Sequence, residues 1–364
     1  MSLLIQLIGI AHVPAELQPY RRRVDEICRQ VESDLDMNLS RLALGRDDIL
    51  PDVISDTTLV TWQMRLLSGR LAPPVLRASD TDRVSLSVIG WLHSVHPEAK
   101  DYPAAFGDGD VAIWPFLRLR TPLYFFPSVE QRGLLYQPLY FHEFGHLLYA
   151  CHKPELDDLV GELQRTVHDT LLPASQRNDR HAARQARQRQ TIVDAWYQWT
   201  QEFFCDAVGF AIGGPCFLRA FSTYLSRTTE ADFYRRPDDL RVSKHPVTWL
   251  RIQFLTRQAD QAGFSELARS VDEEWRAVAS TLGVREDYHG FYVDLLRDVV
   301  ERALTDMLTE ASPRRFTDSE ATGRGWSPAT DSPVRLLNWA WQIHDDSDSY
   351  TAWEEEQISL LIGE

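Results

Sequence analysis

Pro138-Leu139-Tyr140-Phe141-His142-Glu143-Phe144-Gly145-His146-Leu147-Leu148-Tyr149-Ala150-Cys151-His152 is the stretch from which the reading of this chain starts. Large apolar residues occupy almost every turn of it, which predicts a buried helix, with Pro138 suited to its first turn and Pro154 closing it. His142 and His146 stand four apart and therefore share one helix face, with Glu143 one step round. Two imidazoles and a carboxylate in so apolar a helix are costly unless paired or bound to a metal. The HExxH spacing allows both imidazoles to reach one ion while the carboxylate faces a water on that ion. Two histidines satisfied by ordinary core hydrogen bonds are the alternative, so the metal reading needs a further ligand.

An open site of this kind takes a third protein ligand and leaves the fourth position to water. His152 stands where the pattern HExxHxxGxxH would place a third histidine, but Tyr149 replaces the glycine that would turn the chain. If the helix continues, six residues at about 100° each carry His152 roughly 240° around the axis from His146. It therefore reads as a helix-end residue near the negative end of the dipole. Glu202 is the better candidate. It lies in a second apolar helix predicted from about Thr191 to Ile212, with Ile192, Trp196, Trp199, Phe203 and Phe210 on one side and Gly213-Gly214-Pro215 as its stop. Asp206, one turn on, is suited to hydrogen-bond the outer nitrogen of a ligating imidazole, and Gly209 to let two helices approach closely. An exposed acidic pair is the plainer alternative, and the aromatic surroundings argue against it.

HExxH on one helix followed by ExxxD on another resembles the gluzincin zinc metallopeptidases. A third segment, His245-Pro246-Val247-Thr248-Trp249-Leu250-Arg251-Ile252, is similar to the HPxxxxRI element of the HtpX and CaaX-prenyl-protease family and its soluble minigluzincin relatives. The resemblance covers about Leu123 to Leu255. It implies a zincin-like catalytic core, Zn2+ held by His142, His146 and Glu202, Glu143 as general base, and hydrolysis of a protein or peptide substrate. It further implies that His245 and Arg251 lie near the site, where they, or a tyrosine such as Tyr234, steady the substrate oxyanion. For His245 the alternative is capping a helix predicted at Val247 to Leu255. The chain departs from the family in having no membrane spans and an arginine-rich insertion between His146 and Glu202. Val247 stands where a second proline is usual, and Cys205 where alanine often precedes the aspartate. A non-enzymatic interaction protein with a structural or relic zinc site stays open at this point, as does a zinc hydrolase of non-peptide amides. An intact Glu143 speaks against a purely structural site, which needs no base.

Outward from these motifs, 364 residues of ordinary apolar content and 25% charged residues suffice for a sizeable core. The formal charge of −15 argues against nucleic acid and anionic lipid as general partners. No stretch approaches the roughly 18 to 20 apolar residues of a membrane span, and no basic leader opens the chain, so a soluble cytoplasmic protein without membrane insertion is expected. Cys28, Cys151, Cys205 and Cys216 form no CxxC pair and are expected to be reduced. Lysine occurs only at Lys100, Lys153 and Lys244, an arginine bias that suits a bacterial genome of high GC content.

The predicted fold is α+β and predominantly helical, with a small sheet. Leu17, Val24, Ile27, Val31 and Leu35 predict an amphipathic helix between Pro14 and about Leu44. Val60–Leu71 and Val84–Leu92 fit helix or strand equally. Pro115 and Pro122 restrict Val111–Phe126 to an edge or irregular strand, and an edge near Leu123–Pro127 offers a place for a substrate strand to pair. The Gln- and Arg-rich run Ser175–Gln190, with Arg177, Arg180, Arg184, Arg187 and Arg189, reads as a solvated insertion or a docking patch for an acidic partner. Helices are predicted at Ser265–Leu282, Tyr288–Leu308 and Pro333–Ile343, with a loop at Ser312–Asp331. Three regions follow: 1–105, mainly helical; 106–260, the zincin-like core with its insertion at 175–190; and 261–364, a helical C-terminal region.

Overall fold

The computed structural model describes all residues except 46, 128–130, 172–181, 227–235, 285, 287, 346 and 364. The chain is predominantly helical with one small three-stranded sheet. It divides into two compact units, Met1–Gly133 with Ile358–Glu364, and Leu134–Gln357. The sheet belongs to the first unit and the HExxH helix to the second.

In the first unit, α1 (Ser2–Ile10), α2 (Gln18–Ala43), α3 (Leu50–Leu66) and α4 (Arg83–Ser94) precede the strands. The two ambiguous apolar stretches are thus helical, the first ending in a π turn at Leu67–Leu71. Helix α2 buries Tyr20, Val24, Cys28 and Val31, a helical stripe, while Ile27 and Leu35 are only half-buried. The strands β1 (Ala105–Asp108), β2 (Ala112–Trp114) and β3 (Leu123–Phe126) lie in the order β1-β3-β2, with β1 parallel and β2 antiparallel to β3. The expected edge strand is therefore corrected. Leu123–Phe126 is the central strand, paired on both sides, and has no free edge for a substrate. Pro115 and Pro122 have no N–H to give a ladder, so pairing stops at Trp114 and resumes at Leu123. Phe116 and Arg120 between them take positive φ, 39° and 52°, and the alternating apolar and basic run is a pair of turns.

The second unit opens with α5 (Leu139–Cys151), capped by Pro138, and α6 (Lys153–Leu171). Pro154 does not close α5 but lies in the first turn of α6, where a missing N–H costs nothing. His152 sits at the α5 C-cap with φ −105° and ψ 25°. Helix α7 runs from Ala182 to Gly213, longer than predicted, because its first turns take in the end of the arginine-rich run; arginine is a good helix former. Residues 175–181 of that run, and Tyr234, lie outside the described residues. Gly214, at φ +61°, ends α7 in the left-handed conformation, and Pro215 opens α8 (Pro215–Ser226).

Short α9 (Pro237–Val242) is followed by α10 (Thr248–Gln261) and α11 (Ser265–Leu282). Helix α12 (Arg297–Ala311) starts later than the predicted Tyr288, since His289 and Gly290 take φ of 49° and 80°. The expected loop at Ser312–Asp331 contains α13 (Asp318–Thr322), begun by a Thr317/Glu320 capping box. Helices α14 (Pro333–Ile343) and α15 (Ser347–Ile362) follow, the latter without a counterpart in the sequence reading. All four cysteines are free, with Cys28, Cys205 and Cys216 buried. Among the described residues no helix is long and apolar enough to cross a membrane.

Candidate metal centre

Helices α5 and α7 come into close contact at a glycine inside the HExxH motif. A Cβ added to Gly145 would lie 2.7 Å from Cys205 Cα, so only a hydrogen in that position lets the two backbones come together there. Gly209, expected to serve this contact, faces α8 instead. Its missing Cβ leaves room for the Phe217 ring, which an alanine would meet at 2.4 Å. The crossing at Gly145 is what brings the HExxH face opposite Glu202 and Asp206.

His142, His146 and Glu202 offer ligand atoms that all lie within 4.8 Å of one another. His142 Nε2 is 3.5 Å from Glu202 Oε2, and His146 Nε2 is 3.6 Å from Glu202 Oε1. The two imidazoles are almost perpendicular, at 88°, with ring centroids 5.1 Å apart. Around a tetrahedral ion with bonds of about 2.0 to 2.2 Å, donor atoms stand roughly 3.4 Å apart, close to the two histidine–carboxylate separations. Glu202 Oε2 is buried, with His142 Nε2 at 3.5 Å and Arg251 Nη2 at 3.3 Å as its polar neighbours. Two imidazoles and a carboxylate suit zinc and its first-row neighbours alike.

Behind this group lies a second tier of charge. Asp206 Oδ1 is 2.9 Å from His142 Nδ1, which turns Nε2 towards the candidate ion. Arg251, on α10, donates from Nε and Nη2 to the two oxygens of Asp206 at 2.8 and 2.7 Å, and its Nη2 is 3.3 Å from Glu202 Oε2. The guanidinium is buried and lies 4.8 Å over the Phe221 ring of α8. His142 stacks on the same ring, with centroids 5.5 Å apart at 27°. His245 Nε2 is 3.5 Å from Glu202 Oε1, and its side chain is 53% exposed against 9% for Glu202. His245 thus stands at the open side of the cluster, while Val247 occupies the α10 N-cap.

Burial and charge set the proton affinities. Burial disfavours the charged form of His142, but Asp206 and Glu202 outweigh it and raise the imidazole to about 9. His146 is lowered to about 4, chiefly by burial and against the pull of Glu202. Burial lifts the Glu143 carboxyl to about 7, with His142 opposing and Glu202 adding to the rise. Burial would raise Glu202 as well, yet His142 and Arg251 hold it below the usual carboxylate range. Asp206 is lowered in the same way, with Arg251 as the main opponent of burial.

The structure thus brings together His142, Glu143, His146, Glu202, Asp206, His245 and Arg251, while His152 stays outside the ligand group. The sequence reading missed Phe221 and the role of Gly145. Glycine between two ligand histidines is a usable signal; one phenylalanine on an apolar helix is not. A cavity of about 550 Å³ lies along α10 and α11 beside Phe254, Arg257 and Arg276 and includes none of the candidate ligands. No family model matches the chain, and comparison with curated proteins and with solved structures returned no match.

Proposed function

We propose that this protein is a zinc-dependent metallopeptidase with a zincin-like core, which hydrolyses peptide bonds in a protein or peptide substrate. The carrying observation is the convergence of Glu202 from α7 on the histidine pair of α5, at 3.5 and 3.6 Å. His142, His146 and Glu202 would hold the zinc ion, which would supply Lewis acidity to a water and to the scissile carbonyl. Glu143 takes the proton of the attacking water and passes it to the leaving amine. Burial raises the affinity of this carboxylate for that proton. Asp206 keeps the proton of His142 on Nδ1, and Arg251 fixes Asp206 through its two hydrogen bonds. Arg251 has its Nε and Nη2 on Asp206, so the exposed His245 is the better donor to a developing oxyanion. Four free thiols agree with a cytoplasmic setting.

The test is metal content together with Glu143→Gln. Purified protein is expected to carry about one zinc per chain. The variant should retain the metal and lose cleavage by roughly 10²-fold or more, as removal of a general base does. New protein termini that appear in cells expressing wild type and not E143Q identify the substrate. Zinc far below one per chain, or undiminished cleavage by E143Q, overturns the reading.

A further inference from the structure

We propose that Phe221 is a positioning residue of the metal centre, its ring face setting the plane of the His142 imidazole and seating the Arg251 guanidinium. The inference rests on the metal reading only in taking His142 as a ligand. A contact between His142 Nδ1 and Asp206 fixes one direction in the imidazole plane but leaves the ring free to swivel about that line. A flat apolar surface removes the remaining freedom, and Phe221 supplies one, stacked at 27° with centroids 5.5 Å apart. The same ring lies 4.8 Å from Arg251 Cζ, which ties the residue that grips Asp206 to the residue that Asp206 orients.

Phe221 is itself held. Phe217, one turn earlier on α8, stacks on it at 5.2 Å and 21°, and the Phe217 ring fills the space left by the missing Cβ of Gly209. A column therefore runs from the α7 backbone at Gly209 through Phe217 and Phe221 to His142. Both rings are buried, so water does not compete for either face. Through this column α8 acts on the metal centre although it supplies no ligand.

The experiment compares Phe221→Leu with Phe221→Tyr, which keeps the ring, and with Phe210→Leu, which removes a buried ring packed edge-on against Phe316. Zinc affinity is read by chelator competition, and geometry by the d–d absorption of the cobalt-loaded protein. Loss of an orienting partner typically weakens metal affinity about 10- to 100-fold. F221L is expected to show that loss with an altered cobalt spectrum, while F221Y and F210L stay near wild type in both. Should F221L fail to fold, Phe221→Met preserves volume without a flat face and carries the same test. Wild-type affinity and spectrum in a folded F221L or F221M overturn the inference alone, as does an equal loss in F210L. A wild-type protein that takes up neither ion overturns the metal reading and this inference with it.

Discussion

His142 meets two carboxylates, one phenyl face and one neighbouring imidazole, and its proton affinity of about 9 records that company. At pH 7 the ring is protonated, and a metal must displace that proton to bind Nε2. His146, lowered to about 4, is already neutral and has none to give. Calorimetry of zinc binding at pH 7 in buffers of different ionisation enthalpy is therefore expected to register release of about one proton per ion. The share of that release that comes from His142 should fade as the pH passes about 9, where the ring is neutral beforehand. E143Q is the protein to use, since Glu143 also titrates near neutrality. Binding with no proton release at pH 7 would contradict the coupling of His142 to Asp206 and Glu202. At this scale much of the site was readable, because His142, His146, Glu202 and Asp206 follow i,i+4 spacings that helix geometry converts directly into shared faces. Arg251 was readable as a site residue but not in its orientation, which depends on the carboxylates it meets from α7.

Two helices make the centre, and their separation is set at Gly145. Substitution Gly145→Ala would press a methyl against Cys205 Cα at 2.7 Å, a backbone atom that cannot swing aside. The variant is expected to lose about 1 to 3 kcal/mol of stability in denaturant unfolding, as overpacked cores do. It should also bind zinc more weakly, because α5 and α7 must move apart and carry Glu202 from the histidine pair. Wild-type zinc affinity in G145A would show that the crossing has slack. Elements with long, strongly periodic patterns were legible: Ser265–Leu282 and Pro333–Ile343 were predicted with the observed bounds. Boundaries set by chain reversal were less so. Pro154 opens α6 rather than ending α5, and nothing local distinguishes these uses of a proline allowed in a first helical turn. The glycine at the α5–α7 crossing was misassigned to Gly209 because two helices can meet at either residue until their rotation is known.

Each compact unit carries its own dependence on pH. In the first, His93 is lowered from 6.5 to about 4 by burial, partly offset by its Nδ1 donating to the Tyr102 carbonyl, while Nε2 faces the Tyr124 hydroxyl at 2.8 Å. The unfolded chain takes up this proton first as the pH falls. The contribution of neutral His93 is therefore fully present above about 6.5 and is lost on going towards pH 4, with about 2 kcal/mol gone by pH 5. Unfolding of wild type and His93→Gln at pH 7.5 and 5, followed by a probe in the first unit, should show a steeper loss in wild type. Parallel losses would remove His93 as the cause. By itself the sequence determined the predominantly helical character, the two histidines on one helix face and the carboxylates most suited to join them. Each of these is a consequence of backbone hydrogen bonding and residue spacing within a few turns. Only the tertiary structure decided that Leu123–Phe126 is a central strand, that Gly145 and not Gly209 lies at the α5–α7 contact, and that Phe221 lies against His142 and Arg251. Those facts depend on how faces far apart in the chain exclude water together, and no local period encodes which faces will meet.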